Sequence, residues 1–173
     1  MLKIFFFFLN CYFIIDCKFK EKEIFDLMDR TEPVTLTNMC MIKNRNNILV
    51  LDRNDPYWPG LTFPGGHVED HESFHDSVVR EVKEETNLDI ENPRLCGIKQ
   101  FYDENDHRYL VLFYIATEFS GTVKASREGE LTWMTKEELF HHKLAYNFDR
   151  DLLVYFNEDI DEHILDGKRD ELF

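Results

Sequence analysis

Apolar runs separated by short polar segments predict several strands and one helix between residues 34 and 88. "VTLTNMCMI" and "NILVLDR" flank the polar segment "KNRNN", a pattern typical of a β-hairpin. "NDPYWPG" predicts a loop, and "LTFPGG" predicts a short strand that ends at Gly65 and Gly66. In residues 71–85 apolar side chains recur every four positions, at Phe74, Val78 and Val82, which predicts an amphipathic helix that packs these residues against a sheet.

The second half of the chain continues the alternation of strands and helices. "RLCGIKQFYD" and "RYLVLFYIATEF" predict a hairpin around "ENDH", and the second run, with Leu112 and Tyr114, is apolar enough for a central strand. "LTWM" predicts one more strand. Thr135 and Glu138 have the spacing of a capping box that starts a short helix, and "NFDRDLLVYFNE" predicts a final helix over residues 147–158. This order indicates an α/β domain with a mixed sheet covered on both faces.

Composition and charge narrow the function. The 173 residues are 43% hydrophobic and 14% aromatic, which suits one globular domain. The 20 Lys and Arg against 34 Asp and Glu give a net charge of -14, which repels nucleic-acid polymers and anionic membranes. This charge is still compatible with a small phosphorylated substrate, because a bound divalent cation reverses the sign of the local electrostatic field.

The four cysteines, Cys11, Cys17, Cys40 and Cys96, form no C-x-x-C pair and have no zinc-finger spacing. We expect free thiols, with Cys40 and Cys96 acting as small apolar residues of strands. Free thiols fit a reducing cytoplasm, and we predict that localisation.

Residues 1–27 differ from the rest of the chain. "IFFFFLNCYFII" is an apolar run too short to span a bilayer but of signal-peptide length. It lacks a small-x-small cleavage site, and Asp16 before Cys17 disfavours lipoprotein processing. We prefer a third interpretation, in which translation starts at Met28 and residues 28–173 form one domain. The terminal "RDELF" is not a retention signal, because Phe173 follows the Leu.

Four glutamates lie close together in the segment "GHVEDHESFHDSVVREVKEETNL". On a helix, Glu81, Glu84 and Glu85 fall within an arc of roughly 100°, and Glu72 precedes them. Like charges at this spacing destabilise a helix, so a positive partner is expected. Carboxylate oxygens are ligands for hard cations such as Mg²⁺ or Mn²⁺. Gly65 and Gly66 let the backbone approach a ligand, and the fork of Arg80 can orient a carboxylate.

These residues resemble the signature of the Nudix (MutT-like) hydrolase family, G-x5-E-x7-R-E-U-x-E-E-x-G-U with U aliphatic. The matching positions are Gly66, Glu72, Arg80, Glu81, Val82, Glu84, Glu85 and Leu88, with Asn87 in place of the last Gly. Asn tolerates the left-handed conformation expected there better than other non-Gly residues. The flanking segments "FPGGHVE" and "REGELTWM" extend the resemblance over about residues 33–145.

The resemblance implies a Nudix-type α/β/α sandwich and Mg²⁺-dependent hydrolysis of a nucleoside diphosphate linked to another group. It implies that Glu81, Glu84 and Glu85 are metal ligands, with the Gly65 carbonyl as a further one. Glu81, oriented by Arg80, is the alternative general base, and Glu72 stabilises the loop or reaches a metal through water. A later loop supplies Glu128 or Glu130 as base or ligand, and we favour Glu130.

Substrate contacts are less defined by the sequence. Trp58, Phe63 and Trp133 are candidates to stack on a purine base, although aromatic residues at strand ends are often core. Arg53 is a candidate to contact a phosphate, and Gly66 is a candidate for close approach of the backbone to the substrate. Asn38 either hydrogen-bonds the edge of the base or satisfies a backbone group. His67, His71 and His75 are expected to be surface residues and not a zinc site.

The leading functional prediction is an enzyme that hydrolyses a purine dNTP, such as 8-oxo-dGTP, to the monophosphate and pyrophosphate. Hydrolysis of ADP-ribose or a nucleotide sugar is an alternative, and a catalytically silent, nucleotide-sensing Nudix domain is another. We expect a small-molecule nucleotide as the partner, no nucleic-acid polymer and no membrane, and either a monomer or a homodimer.

Overall fold

The computed structural model describes residues 31–173, within which Val34–Phe173 form one compact unit. The interpretations of residues 1–27, of Met28 as the start and of Cys11 and Cys17 lie outside the described residues and stay predictions.

The described chain contains ten strands and three helices. They are β1 (Val34–Asn44), β2 (Asn47–Arg53), β3 (Gly60–Thr62), α1 (Phe74–Thr86), β4 (Leu88–Glu91), β5 (Arg94–Tyr102), β6 (Arg108–Ala116), β7 (Glu118–Gly121), β8 (Gly129–Thr135), α2 (Lys136–Leu139), α3 (Phe148–Phe156), β9 (Glu162–Leu165) and β10 (Asp170–Leu172).

Eight of the strands form one mixed sheet. Its order is β10-β9-β5-β6-β1-β2-β3, and β8 pairs with β2 along the edge opposite β1 and β3. The pairs β1–β6 and β5–β9 are parallel and the other pairs are antiparallel. β4 and β7 form a separate two-stranded ribbon. The central position of β6 confirms the prediction for Leu112 and Tyr114, both of which are buried.

Helices cover both faces of the sheet, which confirms the α/β/α sandwich. On one face Val78 and Val82 of α1 pack with the β1 residues Cys40 and Ile42. On the other face the α3 residues pack with alternate residues of the same strands, in a core that contains Met39, Met41, Phe63, Phe113, Phe148, Leu152 and Tyr155. We call these the α1 face and the α3 face.

Both predicted hairpins are present. β1 and β2 are antiparallel around a turn in which Arg45 has φ 57°. β5 and β6 pair around the turn at residues 103–107, where the Asp103 carboxylate accepts hydrogen bonds from the amides of Asn105 and His107. Such a side-chain bond to a nearby amide is the physical reason that Asp marks turns.

α1 starts three residues later than predicted. Ser73 is the N-cap, and its hydroxyl accepts a hydrogen bond from the Asp76 amide at 3.0 Å. Phe74 is therefore in the first turn and is 43% exposed, so its predicted packing against the sheet is wrong. At the other end Asn87 has φ 62°, and its side-chain amide donates to the Thr122 carbonyl at 3.0 Å. The left-handed conformation expected for Asn87 is confirmed.

The sequence patterns gave no prediction for the two C-terminal strands. β9 and β10 form an antiparallel hairpin around a turn that contains Gly167 at φ 77°. β9 adds to the edge of β5 in parallel, with Lys99 opposite His163. The ribbon of β4 and β7 was also missed, because its strands are short and lie directly beside α1 and β6.

The two described cysteines are free thiols, with Cys40 buried and Cys96 half-buried. Burial raises the pKa of Cys96 to about 11 and that of Cys40 further, so neither thiol ionises near neutral pH. None of the helices described between residues 31 and 173 is long and apolar enough to cross a membrane.

Candidate active site

The loop between β3 and α1 is held against β1 by its backbone. The Asn38 amide donates to the Gly66 carbonyl at 2.8 Å, and the Cys40 amide donates to the Pro64 carbonyl at 2.8 Å. A Cβ on Gly65 would lie 2.1 Å from the Asn38 carbonyl oxygen, so no side chain fits there. The two glycines therefore bring the loop onto the strand, as predicted.

The same glycines contact the glutamates of α1. The Gly65 amide donates to Glu85 Oε2 at 2.9 Å. A Cβ on Gly66 would lie 2.5 Å from the Glu81 carboxylate carbon, so the Glu81 carboxylate rests against the bare backbone of Gly66. Loop and helix thus join through two carboxylates.

Arg80 is the centre of a hydrogen-bond network. Its Nε and Nη2 donate to the two oxygens of Glu72 at 2.8 and 2.9 Å, and its Nη1 donates to Glu81 Oε1 at 2.8 Å. Nη2 also donates to the His67 carbonyl at 2.9 Å, and Glu84 Oε2 lies 3.7 Å from Nη1. The Arg80 hydrogen bonds, with the Glu69 amide, lower the pKa of Glu72 to about 2. Glu72 therefore fixes the loop through Arg80, which agrees with its predicted stabilising role.

Glu85 is a buried carboxylate that lacks a matching positive charge within the described chain. It is 7% exposed. Burial raises its pKa to about 7, and the negative charges of Glu81 and Glu128 act in the same direction. The Gly65 amide and the charge of Arg53 oppose this rise without cancelling it. Such a group is stabilised by a cation nearby.

The residues fit a bound divalent cation by their chemistry. Glu81, Glu84, Glu85 and the Gly65 carbonyl offer oxygen atoms only, which is the donor set of Mg²⁺ and Mn²⁺. Glu84, 60% exposed, is on the solvent side of the group. Within residues 31–173 no three acidic, His or Cys side chains already converge as a ligand set. The hydrogen bonds to Arg80 and Gly65 each use one oxygen of Glu81 and Glu85, so the other oxygen of each can face a cation.

Of the two later glutamates, Glu128 is the one whose charge acts on Glu85. It precedes β8, where its carbonyl accepts a hydrogen bond from the Asn54 amide at 3.0 Å. Glu130 lies within β8, exposed and opposite Asp52 of β2. Glu128 is therefore a second candidate for the additional base or ligand, and the role of Glu130 stays a prediction.

A cavity of about 650 Å³ opens beside the carboxylates on the α3 face. Gly65 lines it and also bonds Glu85, so the cavity and the carboxylate group share a boundary. Six of the lining residues are aromatic: Trp58, Phe63, Phe101, Tyr102, Tyr109 and Tyr146. The polar lining residues include Lys99 and Asp151, which the sequence analysis did not select.

Arg53 and Trp58 lie together at the cavity wall. The Arg53 guanidinium is 4.9 Å from the Trp58 ring centroid, and its Nη2 donates to Asp55 at 3.3 Å. Its Nε is buried without a hydrogen-bond partner in the described part of the chain. Phe63 also lines the cavity but packs edge-on against Phe148 and Tyr155, with ring centroids 4.9 and 5.0 Å away. Phe63 is thus both core and wall.

One predicted substrate residue lies elsewhere, and another has a structural contact. Trp133 stacks on Phe119 at 5.7 Å on the α1 face, so it does not line the cavity. Asn38 is among the residues that line the cavity, and its Nδ2 donates to Ser77 Oγ of α1 at 2.8 Å. Ser77 Oγ is in turn 3.4 Å from the His67 carbonyl, to which it donates. Asn38 therefore supports the glycine loop, and its role in reading a base stays a prediction.

The profile of the NUDIX domain matches residues 34–156. The chain belongs to the Nudix family. This range begins with β1, ends with α3 and includes every residue of the carboxylate group described above. The resemblance drawn from the signature residues is confirmed.

Curated and solved Nudix proteins show similarity over much of this range. "Uncharacterized Nudix hydrolase YvcI" of Bacillus subtilis is 34% identical over 99 residues, which cover 54% of this chain and 61% of that protein. "ADP-ribose pyrophosphatase" of Methanocaldococcus jannaschii is 30% identical over 118 residues, or 64% of this chain and 70% of that protein. The crystal structure of a MutT protein from Bacillus halodurans is 26% identical, with a TM-score of 0.62, over 80% of this chain and 94% of that chain.

The residues that sequence reasoning missed lie at the other end of the Nudix cavity. Lys99, Asp151 and His163 are buried and joined in one ionic network. A lysine inside the apolar run "LCGIKQF" was a usable signal, because Lys is almost never fully buried unless it is paired. The partners lie far along the chain, so their identity required the structure.

Proposed function

We propose that the protein is a Mg²⁺-dependent hydrolase of a diphosphate bond in a nucleotide, and that the substrate is a purine dNTP such as 8-oxo-dGTP. The products are the monophosphate and pyrophosphate. One observation carries the proposal: Gly65 bonds the buried Glu85 and also lines the aromatic cavity. A base in the cavity therefore has its phosphates beside the carboxylates.

The residues of the carboxylate group and of the cavity have different roles in the proposed reaction. When bound, Mg²⁺ neutralises the diphosphate and lowers the pKa of a bound water. Glu81, Glu84, Glu85 and the Gly65 carbonyl would hold it. Arg80 keeps the Glu81 carboxylate in one orientation, so Glu81 serves either as ligand or as general base. Glu128 or Glu130 is the further base or ligand, and Arg53, at the cavity wall near Glu85, contacts a phosphate.

The cavity supports a substrate with one base. Trp58 offers an aromatic face backed by Arg53, and Phe101 stacks on Tyr109 with centroids 4.9 Å apart. A planar purine can stack on an outer face of such rings. A volume of about 650 Å³ is in the usual range for sites that bury small ligands.

ADP-ribose is the second candidate substrate. The observation that favours it is the 30% identity with the ADP-ribose pyrophosphatase of Methanocaldococcus jannaschii, which extends over 70% of that protein.

A nucleotide-sensing domain without activity is a third interpretation, and nucleotide hydrolysis in the presence of Mg²⁺ would contradict it. We further propose a cytoplasmic protein with no nucleic-acid or membrane partner, acting as a monomer or a homodimer.

Hydrolysis is expected to require a divalent cation. Turnover of a nucleotide panel should be abolished by EDTA and restored by Mg²⁺ or Mn²⁺ in excess, because the buried carboxylates need a cation to accept a diphosphate. Phosphate or pyrophosphate release is the measurement, and a dialysed sample without chelator is the control. Undiminished turnover in EDTA would contradict the metal assignment.

The substrate panel should include 8-oxo-dGTP, dGTP, dATP, dCTP and ADP-ribose. We expect the highest kcat/KM for a purine triphosphate, with monophosphate and pyrophosphate identified by chromatography. If ADP-ribose or a dinucleotide is hydrolysed much faster than every triphosphate, the triphosphate assignment is wrong while the Nudix hydrolase assignment survives.

A further inference from the structure

A row of side chains in register on four adjacent strands leads from the cavity to a buried histidine. Thr37 of β1 is opposite Val111 of β6, which is opposite Lys99 of β5, which is opposite His163 of β9. Residues in register on neighbouring strands share a face. The first three line the cavity, so Lys99 brings a positive charge to its floor beside two neutral side chains, and His163 lies buried behind it.

Lys99 is held by an ionic network that reaches the C-terminal hairpin. Its Nζ donates to Asp151 Oδ2 of α3 at 2.8 Å, and His163 Nδ1 lies 2.6 Å from Asp151 Oδ1. His163 Nε2 is 3.1 Å from Asp170 Oδ1, which also accepts from Arg150 Nε at 3.0 Å. The side chains of Lys99, Asp151 and His163 are 9%, 1% and 0% exposed. His163 and Asp170 lie beyond residue 156, where the Nudix match ends.

Stability alone does not account for this network. Removing charges from water is costly, and replacing a buried ion pair by apolar residues of similar size is often neutral or stabilising. Here the network borders a cavity that is lined by six aromatic residues, including the stacked pair Phe101 and Tyr109. Ligand sites have this composition: apolar walls with a few placed polar groups that set orientation and specificity.

Lys99 has hydrogen-bonding capacity left for a ligand. Within residues 31–173 its ammonium group donates to Asp151, which uses one of the three N–H donors of this group. Both carboxylate oxygens of Asp151 already have partners, in Lys99 and His163, and the Asp151 side chain is less exposed than that of Lys99. The more accessible of the two charged groups is therefore the Lys99 donor, and its charge is balanced by Asp151.

We propose that Lys99 selects an oxopurine by donating to the carbonyl oxygen of the base, with Asp151 and His163 as positioning residues. Guanine presents the acceptors O6 and N7 on one edge, whereas adenine presents an amino donor in place of O6. Oxidation at C8 adds a second carbonyl oxygen. An ammonium group that has no acceptor itself accommodates the guanine edge and opposes the adenine amino group. This inference rests on the proposed function and specifies its substrate class.

The first test compares Lys99→Met with the wild type on 8-oxo-dGTP, dGTP and dATP. Loss of a hydrogen bond to a charged donor should raise KM for both guanine nucleotides about 10- to 100-fold. kcat should stay within a few-fold, because the carboxylate group is untouched, and KM for dATP should stay unchanged or fall. An unchanged ratio of guanine to adenine kcat/KM, or a preference for a pyrimidine nucleotide lost together with Lys99, would overturn the inference.

The double variant Lys99→Met/Asp151→Asn guards against misfolding, because it removes both charges of the Lys99–Asp151 pair, while an Asn at position 151 can still hydrogen-bond His163. Asp151→Asn alone should raise KM for dGTP in the same direction. In the double variant it should add nothing to the effect of Lys99→Met, since a positioning residue acts through Lys99. Additive effects would contradict the positioning role. Lys83→Met is the matched control, because Lys83 also donates to an aspartate at 2.8 Å but lies outside the cavity.

Binding of dGMP and dAMP, measured by calorimetry in EDTA, separates this inference from the proposed function. If the wild type hydrolyses no nucleotide but binds dGMP more tightly than dAMP through Lys99, the proposed function fails and the inference stands. If triphosphates are hydrolysed and Lys99→Met changes neither selectivity nor dGMP affinity, the inference fails and the proposed function stands.

Discussion

Replacing Glu85 by Gln is expected to reduce kcat by about 10²- to 10³-fold, the scale for loss of one charge-stabilising group in an active site. At the same time the metal-free protein at pH 8 should be as stable as the wild type or more stable. The reason is the burial of a carboxylate whose pKa rises from 4.5 to about 7. Above pH 7 the folded state holds this charge at a cost of at most about 3 kcal/mol, and a neutral amide avoids that cost.

The two readouts of this variant therefore move in different directions. Gln can still accept the hydrogen bond of the Gly65 amide, so the loop should keep its place. Mg²⁺ should raise the Tm of the wild type and do so much less in Glu85→Gln. Glu137→Gln, on the exposed surface of α2, is the control. A variant that loses activity only because it unfolds would show a lower Tm without Mg²⁺, and that result would remove Glu85 from the site.

Local patterns predicted the elements whose residues interact with near neighbours in the chain. The two hairpins follow from turns whose polar side chains bond nearby amides, as Asp103 does. Both hydrogen bonds of the predicted capping box between Thr135 and Glu138 are formed. The spacing of the glutamates and glycines predicted the carboxylate group, because helix geometry alone brings Glu81, Glu84 and Glu85 to one side.

Features that depend on contacts between distant segments were not predictable in this way. The periodicity placed Phe74 in the core, but Ser73 caps the helix there and leaves the ring in the exposed first turn. Asn38 lines the cavity, and only the structure shows that its side chain bonds Ser77 of α1. His163 lies in a hairpin whose place in the sheet is set by its pairing with β5.

The sequence could not distinguish Glu128 from Glu130, because this also depends on where a strand begins in the folded chain. Side chains alternate between the two faces of a strand, so residues two apart point to the same face. The sequence pattern therefore did not distinguish Glu128 from Glu130. The structure separates them because Glu128 lies before β8 begins and Glu130 lies inside it, opposite Asp52. The strand boundary at Gly129, which the sequence did not define, separates the two glutamates, and the charge of Glu128 acts on Glu85.

Arg80→Lys is expected to reduce kcat by about 10²-fold, although the charge is retained. The guanidinium uses its rigid fork to hold both oxygens of Glu72, one oxygen of Glu81 and the His67 carbonyl at once. An ammonium group at a single point cannot reproduce this geometry, and a displacement of about 1 Å in a reacting group can cost 10²-fold in rate. KM should change less than kcat, because Arg80 itself does not line the cavity proposed to bind the base.

Comparison with Arg80→Met separates geometry from charge in this position. Met leaves Glu72 and Glu81 without a positive partner, so Tm should fall further than in Arg80→Lys and the loop should become more accessible to protease. Arg169→Lys is the matched control, because Arg169 also pairs with a carboxylate, Asp166 at 2.7 Å, in the C-terminal turn. Full activity in Arg80→Lys would show that charge alone matters. The orientation of Glu81 by the fork, and with it the general-base alternative for Glu81, would then lose its support.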